Sequence, residues 1–460
     1  MSTLDELHAA AEDIFHHALN ASDIGKSFDR HLHFEGTTLV RHPSAALKPI
    51  STDLKNFKKV LVIAFGKAAL PMLDSLLERL PKKIHVHGVC SAPELPRKRN
   101  WRIRYFTGGH PLPNKHSFEA AETALKLLKS ARKDTFIFFL ISGGGSAMFE
   151  LPRDRSITLE DTIAFHETLV ASGATITEIN TVRKYFSAVK GGRLALTAPE
   201  AEKLTLLVAD VPMKDLGAVA SSPTLPDQST PEQCRNILER YNLLEKLPPA
   251  VRAYFESLPP EVTAEIHGPV ASESFRHTQF DTLLSNYDFV TAARDRAHEL
   301  GFRVMIDNTC DDWDYADAAR YLLRRFHELR AEHPRLCLLS SGEVTVQLGP
   351  TPGCGGRNQQ FALATALDLA KHEGQLMAVL SAGSDGIDGN SPAAGAIADT
   401  TTVSRARGYH FDPEDNLRRF DTCPLFTALG DTIITGPTGN NLRDLRILLA
   451  VRDNNNQPAS

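Results

Sequence analysis

Cysteine is sparse and scattered in this sequence, six residues in 460 with no C-x-x-C pair. Such spacing supplies neither a zinc ribbon nor a disulfide framework, and a reducing compartment is the expected setting. Long apolar runs are missing as well, so no segment approaches a membrane span. The opening residues, MSTLDELHAAAEDIF, are acidic and amphipathic and fit neither a signal nor a transit peptide, which makes a cytoplasmic protein the expectation. There is no excess of basic charge: 51 Lys and Arg against 56 Asp and Glu give a net charge of −5. A nucleic-acid partner needs a basic face, so that class is set aside. The one basic cluster, residues 97–104 (RKRNWRIR), reads as a solvated edge or an oligomer contact. The sequence also lacks a G-x-x-x-x-G-K-[ST] loop, an H-R-D or D-F-G set and a G-x-G-x-x-G fingerprint. The common nucleotide-binding signatures are therefore absent, and a nicotinamide reading is weakened.

What is present is ordinary globular composition, 42% hydrophobic and 23% charged, in a chain long enough for two or more domains. Buried-strand runs at residues 60–65, 136–141 and 204–208, with a further strand over residues 84–90, alternate with helical periodicity, which predicts an α/β fold with buried strands. Residues 4–20 predict an opening helix, followed by a short irregular segment rich in His and Pro. Residues 247–277, rich in Pro, Glu and Ser, read as a domain boundary. A second α/β pattern then begins at Asp281, in which the alternating EVTVQL of residues 343–348 predicts half of an antiparallel pair. The tail after Arg452 is expected to be disordered.

The chemistry gathers at strand ends. The run TFIFFLISGGGSAMFELP passes in two residues from a buried strand to a loop in which Gly143, Gly144 and Gly145 free the backbone for positive φ. Their N–H groups, with the hydroxyls of Ser142 and Ser146, suit an anion; a tight turn without ligand is the other reading. Lys67 follows the first strand at the start of a helix, where a bound anion would reconcile its charge with the helix dipole; otherwise it is a solvated lysine. His110, in a GGHPLPN loop, is either a ligand contact or a loop histidine. In EINTVRKYFSAVKGGR, Arg183, Lys184, Lys190 and Arg193 form a cationic helix face, either to meet a phosphate or carboxylate or to compensate a helix ending at Gly191 and Gly192. Asp210 sits at a strand end suited to Mg²⁺. Arg357 lies at the mouth of a helix after a Gly-rich loop, placed near an anion. Asp385 and Asp388, in SAGSDGID, can bind a cation, act as a base or turn the chain.

Seven motifs in order, FGKAA at Phe65, GGHPLPN at Gly108, ISGGGSA at Ile141, INTVRKYFSAVKGGRLA at Ile179, GGRNQQFAL at Gly355, SAGSDGIDG at Ser381 and TGPTGNN at Thr435, resemble the glycerate 2-kinase family with its C-terminal MOFRL domain. The resemblance covers nearly the whole chain. It implies a Rossmann-like N-terminal domain over residues 1–265 and a smaller α/β MOFRL domain with a mixed sheet over residues 275–455. The implied reaction is ATP- and Mg²⁺-dependent phosphorylation of D-glycerate to 2-phosphoglycerate in an interdomain cleft, with a homodimer as an assembly to test. Lys67 and Arg357 match the family's active-site cations, and Asp385 is expected to take the hydroxyl proton. The phosphates are expected on Ser142, Gly143, Gly144, Gly145, Ser146 and Lys190, the substrate on His110, Arg183 and Asn358, and Mg²⁺ on Asp210. The chain departs from the family where Ser222 and Ser341 replace glycines and where Met213 and Lys214 follow Asp210. A hydroxypyruvate-reducing oxidoreductase and a non-catalytic metabolite sensor are the rival readings.

Overall fold

Every residue of the strand Thr135–Ser142 is buried. An apolar strand of this kind needs cover on both faces, so it belongs in the middle of a parallel sheet. The computed structural model, which describes residues 3–42, 48–209, 219–258, 269–349, 351–372 and 374–452, places it there. Numbering strands along the chain, β1 to β3 (Leu32–Glu35, Thr38–Arg41 and Ile50–Asp53) form a small antiparallel sheet where an irregular segment was expected. The strands β4 (Lys59–Phe65), β5 (Val86–Ala92), β6 (Ile103–Thr107), β7 (Thr135–Ser142), β8 (Glu202–Ala209) and β9 (Thr278–Ser285) form one parallel sheet in the order β6-β5-β4-β7-β8-β9. That is the doubly wound Rossmann order, with its reversal between β4 and β7. Leu61, Ile63, Ile137 and Phe139 of the two central strands pack with Ala120, Ala124 and Leu128 of the helix Lys115–Lys129 in one core.

The second unit holds a mixed sheet of β10 (Arg303–Ile306), β11 (Arg335–Ser341), β12 (Leu376–Gly383), β13 (Gly395–Asp399), β14 (Thr432–Ile433) and β15 (Asp444–Val451), in the order β10-β11-β15-β12-β13-β14. Its first pair is parallel and the others antiparallel.

By contacts the chain divides into Ile24–Ser285 and a unit that joins Met1–Asp23 to Asn286–Ser460, which is not the linear split at residues 265 and 275. The opening helix Leu4–Ala21 buries Leu7, Ala11, Ile14, Phe15 and Ala18, a stripe at helical spacing. Phe15 meets Phe289 edge-on at 6.2 Å and Asp13 pairs with Arg296 at 2.7 Å, so that stripe is covered by the helix Asn286–Glu299. At the other margin, β9 completes the first sheet instead of opening a new domain. Its Asp281 forms a buried ion pair with Arg41 of β2.

Two local expectations also fail. Residues 343–348 form no strand, because their backbone pairs with the turn before the helix Tyr315–Glu332: Thr345 N–H donates to Trp313 and Tyr315 N–H to Thr345. The cationic helix Ile176–Phe186 ends before Gly191 and Gly192, whose φ values of +59° and +81° turn the chain into the short helix Arg193–Thr197. Among the described residues, no helix is long and apolar enough to cross a membrane.

Candidate active site

The first cluster lies at the reversal between β4 and β7, where neighbouring crossovers leave a crevice at the strands' carboxyl ends. Lys67 N–H donates to the Gly143 carbonyl at 2.9 Å, and Ala68 N–H to Ser142 Oγ at 2.9 Å, which clamps the two loops together. Gly66 has φ +116°, and a Cβ there would fall 2.4 Å from Ser142 Oγ, so only glycine permits the approach. Ser142, expected at a phosphate, is thus 2% exposed and accepts the clamp from Ala68. Gly144 takes φ +76°, and a Cβ on it would lie 3.2 Å from Lys67 Cγ and 3.4 Å from His110 Nδ1. Lys67 and His110 therefore converge on the glycine loop. Burial, helped by the Lys67 charge, lowers the His110 pKa and keeps the imidazole neutral near pH 7.

Ser146 Oγ lies 3.0 Å from Ser221 Oγ, and Ser221 donates to Asn180 Oδ1 at 3.0 Å. This relay joins the glycine loop to the helix Ile176–Phe186, whose start is fixed by a capping box between Thr175 and Glu178. Arg183 follows Asn180 by three residues and so shares its face. Its Nε is buried without a hydrogen-bond partner, and burial lowers its pKa. Among the described residues, neither Lys67 nor Arg183 has a carboxylate in ion-pair contact.

Lys190 is different. It is 1% exposed and ion-paired with Glu150, which also accepts from Ser187 Oγ at 2.5 Å and Leu151 N–H at 2.8 Å and lies 3.2 Å from His166 Nε2. Lys190, expected at a phosphate, is here neutralised by a carboxylate inside the core.

The relay rests on unusual backbone. Ala220, Ser221 and Ser222 have φ of +48°, +59° and +55°, a left-handed run that costs L-residues roughly 1 kcal/mol or more each. Gly191 and Gly192 N–H groups donate to the Ser221 and Ser222 carbonyls at 3.0 and 2.6 Å and hold it. Ser222→Gly is therefore expected to raise stability by up to about 1 kcal/mol, measured as the urea midpoint at constant slope. Ser341 is an ordinary strand residue, and Gly342 beside it takes φ +124°. The presumed metal acid Asp210, with Met213 and Lys214, lies outside the described residues.

The second cluster is at the start of the helix Arg357–Leu369. Arg357 donates from Nε and Nη2 to the two oxygens of Asp444 at 2.6 and 3.0 Å, and from Nη1 to Glu343 at 3.0 Å. Burial alone would lower its pKa, but these carboxylates outweigh it and raise the value, so Arg357 stays charged. It is not a free cation, and its first role is to hold two acids. Arg357→Lys keeps the charge but loses the fork, with an expected loss of about 2 kcal/mol of stability by urea unfolding.

Asp388 caps the same helix, accepting from Asn358 and Gln359 N–H at 3.0 and 2.9 Å. Burial raises its pKa to about 6, the amide donors offsetting only part. Asn358, expected at the substrate, is 1% exposed, accepts from Ser381 Oγ at 2.7 Å and points its amide at Asp388. Asp385 accepts from Ile387 N–H at 3.1 Å. Its Oδ1 and that of Asp444 both lie close to Gly383, 3.1 and 3.2 Å from where a Cβ would be. Arg357 and Asp385 line a cavity of about 570 Å³ with Val346, Leu348, Gly355 and Phe420.

Residues 10–256 match a family model described as a domain of unknown function (DUF4147), and residues 336–444 match the MOFRL family. The chain is 35% identical over 396 residues to a glycerate 2-kinase of Pyrococcus horikoshii, covering 85% of this chain and 87% of that one. It is 34% identical over 415 residues to a D-glycerate 2-kinase of Thermotoga maritima, covering 89% and 94%. The chain belongs to the glycerate 2-kinase family. A crystal structure of glycerate kinase from Thermotoga maritima superposes with a TM-score of 0.80 at 30% identity, covering 97% of this chain and all of the other (100%). Family membership thus agrees with the doubly wound sheet and with the mixed sheet of the MOFRL part. Glu150, Glu343 and Asp444 were not singled out from the sequence, although Glu150 stands as a lone charge in the apolar MFELP run.

Proposed function

We propose that this member of the glycerate 2-kinase family transfers the γ-phosphoryl group of ATP to the C2 hydroxyl of D-glycerate, giving 2-phosphoglycerate. That it is a kinase follows from its family. The observation that supports the phosphate assignment is the pair Lys67 and Arg183, cations without carboxylate partners in contact among the described residues: Lys67 lies against the glycine loop after β7, and Arg183 lies one helical turn beyond Asn180, which the Ser221 hydroxyl joins to Ser146 of that loop. Phosphoryl transfer is mostly positioning and charge neutralisation, and the loop amides with these two cations supply both.

In this reading Gly143, Gly144, Gly145 and Ser146 hold phosphate oxygens, Lys67 neutralises charge on the moving group and neutral His110 donates or accepts a hydrogen bond beside it. Arg183 takes the remaining anionic group. Asp385 accepts the hydroxyl proton as the substrate oxygen bonds to phosphorus and the bond to ADP breaks. Arg357 acts as a positioning residue, fixing Asp444 and Glu343 in the wall that carries Asp385. We further propose that the two clusters serve one reaction.

Mg²⁺ supplies charge neutralisation at the phosphates, and it is usually held by one or two carboxylates together with substrate oxygens. In the first unit Glu150 is consumed by Lys190, so Asp210 stays the proposed protein ligand.

Glycerate-dependent ADP release by the purified protein tests the reaction class. The oxidoreductase reading predicts instead a nicotinamide absorbance change with hydroxypyruvate, and the sensor reading predicts thermal stabilisation by glycerate with no turnover.

A further inference from the structure

We propose that His327, Asp368 and His372 form a binding site for a divalent transition metal of the zinc class, separate from the reaction site. His327 is on the helix Tyr315–Glu332, Asp368 near the end of the helix Arg357–Leu369, and His372 in the following turn. One ligand atom from each lies within 4.8 Å of the other two. The imidazole rings are 4.6 Å apart between centroids at 42°, and His327 Nε2 is 3.5 Å from Asp368 Oδ2. That Nε2 is shielded from solvent and makes no hydrogen bond of normal length. It is a buried nitrogen close to a carboxylate and to a second imidazole.

Two imidazoles and one carboxylate are the donor set of three-ligand zinc sites, with a fourth position left to water. In a tetrahedral set, metal–ligand bonds of about 2.0–2.1 Å put donors roughly 3.3 Å apart. The observed spread, within 4.8 Å, closes to that by small side-chain rotations, and none of the three residues is fully buried. Asp368 and His372 are four residues apart, which brings them to one face at a helix C-terminus, where the dipole favours a cation. Lys371 holds only the other carboxylate oxygen, Oδ1, at 2.8 Å, and its exposed ammonium can swing away. Arg330 is the other cation that acts on His327, so the metal must outcompete a locally positive field.

Imidazole donors select zinc, cobalt, nickel or copper over magnesium. Asp368 is also about 16 Å from Arg357 along the helix axis, at 1.5 Å per residue. Its consequence is a staple: the metal ties the C-terminal end of the helix that begins at Arg357 to the helix Tyr315–Glu332.

The test is calorimetric titration of the metal-stripped full chain with Zn²⁺, alongside Co²⁺ absorption spectra and thermal unfolding. The parent should take up one zinc per chain, show visible cobalt bands and gain melting temperature with zinc. His327→Gln and His372→Gln should each lose the one-to-one transition and the zinc-dependent shift, while melting without metal as the parent does. If the parent takes up no zinc, or both variants titrate like the parent, the site does not exist. Because the readouts need no turnover, failure here leaves the kinase reading untouched, and the reverse also holds.

Discussion

Lys67→Met is expected to lower kcat for glycerate phosphorylation by about 10²–10³-fold with thermal unfolding unchanged, because the lysine touches the reaction and supports little else. Its backbone N–H, not its side chain, makes the clamp to Gly143, and substitution preserves that bond. The ammonium has no carboxylate in contact among the described residues, so no buried acid is orphaned when it goes. Steady-state kinetics should place the loss in kcat more than in KM, since the charge it offsets is greatest in the transition state. A variant that kept parental kcat would remove Lys67 from the mechanism.

The second large effect is structural. Lys190→Met is expected to cost about 3–5 kcal/mol, since it leaves the Glu150 charge buried without its cation. Burial pushes the Glu150 carboxyl up, but Lys190 and His166 outweigh it and hold the pKa at about 2. The double variant Glu150→Gln with Lys190→Met should recover most of the loss, by urea unfolding, because a neutral pair has no charge to strand. Had Lys190 been a phosphate ligand, the double variant would regain nothing in nucleotide affinity and the single one would fold normally.

The same cluster sets a pH dependence. Burial pushes His166 down from 6.5 to about 4, with Glu150 offsetting part of it. Between these values the unfolded chain binds a proton that the folded chain refuses, so stability falls as pH is lowered from about 6.5 to about 4. Glu150, lowered from 4.5 to about 2, adds stability that is complete above pH 4.5 and lost toward pH 2. Urea midpoints across this range should decline for the parent and decline less below pH 6.5 for His166→Phe.

The β4 and β7 junctions were legible because their causes are local: apolar runs end at glycines, and Lys67 and the Gly-Ser loop follow within two residues. The parallel sheet brings them together, and only its order was needed to make them neighbours. The choice between Arg183 and Lys190 was not legible. Both sit in one cationic segment, and what separates them is Glu150, far upstream in sequence, which reaches Lys190 and leaves Arg183 out of contact. The same holds for Arg357, whose partner Asp444 comes 87 residues later. Alternation at residues 343–348 describes a half-buried segment, but a strand also needs a neighbour, and the turn before Tyr315 took its hydrogen bonds instead. The amphipathic stripe of the opening helix showed that it packs, and nothing in it names the far half of the chain as its partner.

The most direct test of the central claim is a phosphorus NMR time course of the purified protein with Mg-ATP and D-glycerate. The account predicts ADP and 2-phosphoglycerate growing in equal amounts as ATP declines. A 3-phosphoglycerate signal, or ATP unchanged while glycerate is consumed with a nicotinamide cofactor, would contradict it.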